Sequence, residues 1–224
     1  MEDRHVYFWV EPMQPDDVPR VQQIERQSFS TPWTAATYLR ELRSPSHARY
    51  LVARASRHRP TPTVPSEPRR TWLTHFFSFS APSAAQSAYP IVGYAGIWLS
   101  LDEAHITTIA SAPEVRRRGV GELLLNGLID LSSELGAHFL TLEVRLGNTS
   151  AQQLYLKYGF QVRGKRPRYY TDNNEDALIM WTPDIAAAPY QAQLQQLRAA
   201  LAERLEHQAR SAAASLNNEG KRSV

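Results

Sequence analysis

The run Arg116-Arg117-Arg118-Gly119-Val120-Gly121 constrains this chain more than any other feature. It follows an apolar, β-branched segment ending at Ile109-Ala110, with Pro113 as punctuation. It opens a segment with Leu123, Leu124, Leu128 and Leu131 at helical spacing. The pattern is strand, glycine turn, helix. A helix start exposes unpaired backbone N–H groups and a partial positive charge. The two glycines remove the Cβ atoms that would hold a large anion away, and the arginines add charge. Such a turn suits a pyrophosphate. The plainer reading is an ordinary strand-to-helix turn with exposed arginines. No Lys-Ser or Lys-Thr follows Gly121, which excludes a P-loop. No wider Gly-x-Gly-x-x-Gly run follows a strand, which argues against a dinucleotide site.

A second group of residues follows closely. Glu143 lies near the end of an apolar strand, His138 to Val144; Asn148 starts the next helix, Tyr155 lies within it and Gly159 stops it. Taken singly these residues have plain roles. Glu143 is an exposed strand end paired with Arg145, Asn148 a helix cap, and Tyr155 a half-buried packing residue. Taken together they offer an acid and a base for acyl transfer to an amine. The attacking amine must lose a proton and a thiolate leaving group must gain one. A free α-amino group has a pKa of roughly 7.7–8.0, so a carboxylate can collect its proton directly or through water. A phenol, with a pKa of about 10, can return one to sulfur. A lysine amine, with a pKa of about 10.4, is harder to prepare.

The 224-residue length suits one ordinary domain with extras, and the 42% hydrophobic content is enough for a core. Cysteine is absent, which excludes disulfides, thiolate metal sites and a cysteine nucleophile. No metal is implied. The apolar run near the N terminus is too short for a signal peptide, and no window approaches the roughly 18 apolar residues of a membrane span. The expectation is a cytoplasmic protein without membrane attachment. The net charge of +3 is small. Arg54, Arg57, Arg59, Arg69 and Arg70, against Glu67, make a local basic segment rather than a DNA-binding domain.

Strands are expected at His5–Val10, Tyr50–Ala55, Ile91–Leu99, Ala104–Ala110, His138–Val144, Phe160–Gly164 and Ala177–Trp181. Asp16-Asp17 should cap a helix carrying Val18, Val21, Ile24 and Phe29. Ser30-Thr31-Pro32-Trp33 breaks it, and Thr34 caps a second helix ended by Ser44-Pro45. Gly119–Leu135 is a helix that Gly136 terminates. Ser56 to Tyr89 reads as an inserted loop: Pro60, Pro62, Pro65, Pro68 and Pro82 cannot sit in a sheet or helix interior. Trp72-Leu73 and Phe76-Phe77-Ser78-Phe79 interrupt it and would dock on the domain or touch a partner. Leu194, Leu197, Leu201 and Leu205 mark an amphipathic helix, which would pack on its own domain or pair with another chain, with fraying from about Ser211. Residues 5–183 thus form one domain with an insertion at 56–89, and 184–224 a helix and tail. Antiparallel hairpins with inserted helices give a mixed α+β sheet rather than a doubly wound one.

At Arg116-x-x-Gly119-x-Gly121 the chain resembles the acetyl-CoA pyrophosphate loop of the GNAT N-acetyltransferases, and the order of elements is similar to theirs. The resemblance implies that Ile109, Ala110 and Ser111 offer backbone to the pantetheine, and that Arg116, Arg117, Arg118, Gly119, Val120, Gly121 and Glu122 surround the pyrophosphate. Leu142-Glu143-Val144-Arg145, Asn148, Ala151, Leu154-Tyr155, Gly159-Phe160, Arg168-Tyr169-Tyr170 and Glu175 to Met180 resemble the bacterial ribosomal-protein-alanine N-acetyltransferases. Pro32-Trp33-Thr34 and Asp102-Glu103-Ala104 match that family too. The similarity covers most of His5 to Pro183 outside the insertion. It implies Glu143 as general base, Tyr155 as general acid, and Asn148 as a contact to acetyl-CoA. Trp33, Arg145, Tyr169 and Tyr170 would grip the acceptor. The expected reaction is direct transfer, in a ternary complex, from acetyl-CoA to the N-terminal alanine of a ribosomal protein. Two other readings stand beside it: acetylation of lysines or a small amine, and a non-catalytic acyl-CoA-binding assembly protein whose basic insertion touches the ribosome. Three features depart from the family: Ser111, where an apolar residue is usual, the long insertion, and the tail after Pro183.

Overall fold

The computed structural model describes residues 6–43, 47–58 and 89–220. In chain order the elements are β1 (Tyr7–Pro12), α1 (Val18–Ser28), α2 (Ala35–Arg43), β2 (Ala48–Ser56), β3 (Ile91–Ser100), β4 (Glu103–Ser111), α3 (Val120–Glu134), β5 (Phe139–Arg145), α4 (Thr149–Lys157), β6 (Gln161–Tyr170), β7 (Glu175–Trp181) and α5 (Ala188–Gly220). Seven strands make one sheet in the order β1-β2-β3-β4-β5-β7-β6. Its neighbours are antiparallel except β4 and β5, which run parallel. This is the mixed α+β sheet expected from the order of elements.

The sheet is covered on both faces, so its central strands are apolar throughout. Leu51, Val52, Ala53, Ile91, Val92, Tyr94, Ala95 and Ile97 are all buried. On one face Tyr38 of α2 meets Tyr50 and Tyr94 edge-on. On the other, α3 approaches closely at Gly93, where a Cβ would lie 2.9 Å from Val120 and 3.1 Å from Leu124.

Local signals act largely as expected. Thr34 Oγ1 accepts the Thr37 N–H at the start of α2, and Gly136 and Gly159 take the left-handed conformation behind α3 and α4. Asp17 differs. Its carboxylate accepts the Gln14 N–H and pairs with Arg54 instead of capping α1. Arg54 is accordingly buried in β2 between Asp17 and Glu11, and adds nothing to an exposed basic surface. β6 runs to Tyr170, well past Gly164. Ser44-Pro45, Arg59, Glu67, Arg69, Arg70, the five prolines and the aromatic cluster of the insertion lie outside the described residues. The insertion leaves from β2 and returns to β3 at adjacent points, closed by a hydrogen bond from Ala55 N–H to the Pro90 carbonyl (3.0 Å).

The C-terminal helix docks on its own domain. Tyr190, Leu194, Leu201 and Ala209 are buried. Tyr190 Oη donates to the Tyr158 carbonyl (3.2 Å), Arg198 binds Asn126 and Asp130, and Arg204 binds Glu122. The helix continues to Gly220, beyond the expected fraying point. Among the described residues, no helix is long and apolar enough to cross a membrane.

Candidate active site

The parallel pairing of β4 with β5 runs only from Glu103–Phe139 to Ile106–Leu142. Both strands continue, β4 held by β3 as far as Ser111 and β5 held by β7 as far as Arg145. The sheet therefore splits beyond Ile106 and Leu142. The inner edges of Thr107–Ser111 and Glu143–Arg145 border an opening that a narrow, extended ligand can enter as a strand would.

A bulge sorts the side chains around this opening. Gly96 pairs with Thr108 and Ile97 with Ile106, which leaves Thr107 as an extra residue in β4. One extra residue inverts which side chains point to which face. Upstream, His105 shares a face with its partner Thr141, and with Glu143 two residues further along β5. Downstream, Ser111 shares a face with Gly93, the α3 side. Bulge and split together give the opening two chemically distinct sides.

The α3 side holds the glycine turn. Gly119 has φ +92° and Arg117 φ +64°, so the chain reverses sharply into α3. A Cβ on Gly121 would meet nothing closer than Ser111 Oγ at 3.7 Å and Leu154 at 3.9 Å. That space, the splayed β4 edge and the first turn of α3 fit a pyrophosphate with a slender chain attached. The arginines diverge. Arg117 reaches Ser150 Oγ at the start of α4 (3.0 Å), across the opening from α3. Arg116 bonds the carbonyls of Ser111 and Gln27 (both 3.4 Å), and Arg118 lies over the Phe8 ring. Glu122 is engaged by Lys157 (2.5 Å), Tyr158 (2.9 Å) and Arg204. Asn148 caps α4, its Oδ1 accepting the Ala151 N–H (3.1 Å).

The opposite side holds the carboxylate. Oε2 of Glu143 lies 3.1 Å from His105 Nε2, and Oε1 lies 3.0 Å from Arg166. The His105 ring is fixed at its other end by Thr141 Oγ1 (2.9 Å). The His105 hydrogen bond, reinforced by the charges of His105 and Arg166, outweighs burial and holds the Glu143 carboxyl below its ordinary range. Glu143 is therefore not paired with Arg145, the plainer sequence reading. Arg145 binds Asp172 (2.9 Å) and Glu175 (3.0 Å), and its guanidinium stacks 3.8 Å from the Tyr170 ring centre.

Tyr155 is buried on α4, against Phe160. Burial, with a smaller contribution from Tyr170, raises its pKa and keeps the phenol protonated. Tyr170 is pushed up to about 12, chiefly by burial, and its hydroxyl lies 3.5 Å from the Glu143 carbonyl. Tyr169 packs edge-on against Tyr170, and Arg166 lies over its ring. The loop after α1 is tied to the β6–β7 turn, where Ser30 Oγ donates to Asp172 (2.5 Å). Trp33, on the same loop, stacks on Trp98 of β3 and donates its backbone N–H to the Glu25 carboxylate (2.9 Å). The structure thus gathers Glu143, Arg145, Tyr155, Tyr169 and Tyr170 into one neighbourhood and leaves Trp33 on its rim. Sequence reasoning missed His105, Arg166, Asp172 and Ser30. Their signal is pairing register and long-range contact, which no local motif carries.

The sequence model of the acetyltransferase (GNAT) family matches residues 51–160. A Bacillus subtilis (strain 168) protein provisionally named as a [ribosomal protein bS18]-alanine N-acetyltransferase is 38% identical over 169 residues, covering 75% of this chain and 91% of that protein. The N-alpha-acetyltransferase RimI of Mycobacterium tuberculosis is 32% identical over 170 residues, covering 73% of this chain and 85% of that one. The crystal structure of the ribosomal-protein-S18-alanine N-acetyltransferase from Escherichia coli superposes with a TM-score of 0.59 at 26% identity, covering 81% of this chain and 97% of that one.

Proposed function

The chain belongs to the GNAT acetyltransferase family, among its ribosomal-protein-alanine N-acetyltransferases, and we propose that it acetylates the N-terminal alanine of a ribosomal protein in the cytoplasm. One observation carries this reading: the opening between β4 and β5 has a phosphate-type turn on one side and an ionised carboxylate at Glu143 on the other.

Acetyl-CoA supplies an activated thioester carbonyl and a thiolate leaving group. Ile109, Ala110 and Ser111 present backbone to its slender arm, while Arg117 and the turn Gly119 to Glu122 hold its phosphates. Glu143 accepts the proton that the attacking amine loses. It need not be a strong base, because an α-amine with a pKa of roughly 7.7–8.0 is partly neutral at physiological pH. His105 and Arg166 keep the carboxylate ionised and aimed into the opening. Tyr155 delivers a proton to the departing sulfur; burial keeps the phenol protonated, so the proton is present when the thiolate leaves. Transfer is direct, with both substrates bound; the chain has no cysteine, which excludes a cysteine-borne acyl intermediate. Arg145, Tyr169 and Tyr170 line the acceptor's approach, and Trp33 stands at its edge.

Mass spectrometry of ribosomal proteins incubated with enzyme and acetyl-CoA tests the proposal. An acetyl adduct on an N-terminal alanine supports it, and Glu143→Gln and Tyr155→Phe should each suppress that adduct. Modification confined to lysines or free polyamines would replace the acceptor with the alternative reading.

A further inference from the structure

We propose that Arg204, on the C-terminal helix, is a positioning residue for the acetyl-CoA phosphate turn, and that α5 acts as a clamp on it; the inference rests on the GNAT reading of that turn. The starting point is Glu122. It sits in the first turn of α3, where phosphates would draw on the positive end of the helix, and an ionised carboxylate there competes with them for the same field. Its environment keeps it ionised: burial works to raise its pKa, but hydrogen bonds from Lys157, Tyr158 and Arg204 outweigh it.

Two cations offset the unwanted charge. Lys157 comes from α4 and Arg204 from α5, so the balance of charge at the turn depends on a helix far away in sequence. The contact is also mechanical. A Cβ on Gly119 would lie 3.1 Å from Leu205 and 3.3 Å from Leu201, so α5 packs directly on the left-handed residue that forms the turn. Asn126 and Arg198 extend the same seam, with Asn126 donating to the Glu122 carbonyl (2.9 Å) and to Tyr158 Oη (2.7 Å), and Arg198 donating to Asn126 Oδ1 (3.1 Å). Removing Arg204 leaves Lys157 on Oε1 of Glu122 but strips Oε2 of its cation beside the phosphates. Removing Glu122 as well takes away the reason Arg204 is needed.

The test is calorimetric titration of CoA into the full-length protein and its Arg204→Ala, Arg204→Lys, Glu122→Gln and Arg204→Ala/Glu122→Gln variants, with thermal melts run alongside. Loss of one compensating charge at a helix start should weaken CoA binding about three- to tenfold in Arg204→Ala. Arg204→Lys should recover most of that loss. The double variant should bind CoA as Glu122→Gln alone does, even if its melting temperature is lower. Unchanged CoA affinity in Arg204→Ala, or a loss that Glu122→Gln fails to relieve, would overturn the clamp. A wild-type protein that does not bind CoA would overturn the acetyl-CoA reading, and the clamp with it.

Discussion

Nε2 of His105 lies 3.1 Å from Oε2 of Glu143, across the parallel step from β4 to β5. The contact joins a residue of the half-sheet that carries the glycine turn to one of the half-sheet that carries the acceptor residues. It also exerts the largest pull on the Glu143 carboxyl.

His105→Leu should therefore let the Glu143 pKa climb back toward its ordinary value. A carboxyl with a depressed folded pKa contributes stability that is present above its unfolded pKa and lost as pH falls through the folded one. With His105 gone the folded and unfolded values converge, so that contribution shrinks, while the acidic limb of kcat/KM moves to higher pH. Carbon-13 titration of the Glu143 carboxyl reads the shift directly. An unmoved midpoint would show that the contact does not set the carboxylate's charge.

Glu143→Gln and Tyr155→Phe should each lower turnover by about a hundredfold or more, the usual scale for a positioned base or acid. CoA affinity should hold in both, because neither residue belongs to the phosphate turn. Single-turnover rates paired with CoA titrations make the comparison. Turnover within twofold of wild type in both variants would remove the two residues from the chemistry.

Arg145, Asp172 and Ser30 link the β6–β7 turn to the loop after α1. Asp172→Asn and Ser30→Ala should raise KM for an acceptor peptide several-fold with little change in kcat. Steady-state kinetics with a peptide bearing an N-terminal alanine separates the two constants, and a pure kcat effect would place the link elsewhere in the cycle.

Gly119→Ala should destabilise the fold by about 1–2 kcal/mol, since a left-handed backbone is costly for a residue with a Cβ. Leu201 and Leu205 leave that Cβ little room. In a domain of this size the melting temperature should fall by roughly 2–8 °C. A melt indistinguishable from wild type would mean that the turn relaxes freely.

The elements that could be read from sequence are those with local causes. Gly119, Gly136 and Gly159 stop or start helices where a positive φ is required, and Thr34 and Asn148 cap as their side chains allow. β6 was half-legible, because Gly164 and Pro167 argue against a strand. The structure accommodates them with register shifts at Val162–Gly164 and Arg166–Tyr170, on an edge strand where Pro167 owes no hydrogen bond to an outer neighbour. Asp17 looked like a helix cap, but a buried Arg54 reached from another strand claims its charge. The site divides likewise. Glu143 and Tyr155 are legible through their joint spacing and the family resemblance, not as single residues. His105 and Arg204 look like ordinary polar residues until the register of β4 and the path of α5 are known.

The extra residue at Thr107 gives one strand two independent duties. His105, before it, faces the side of Glu143, and Ser111, after it, faces the α3 side of the glycine turn, so a substitution at one leaves the other's register untouched. A lineage could alter which amine it accepts without retuning how it holds the acyl donor. Deleting that single residue would act as a frameshift in space: every side chain from Thr108 to Ser111 would change sides at once, while His105 kept its place beside Glu143.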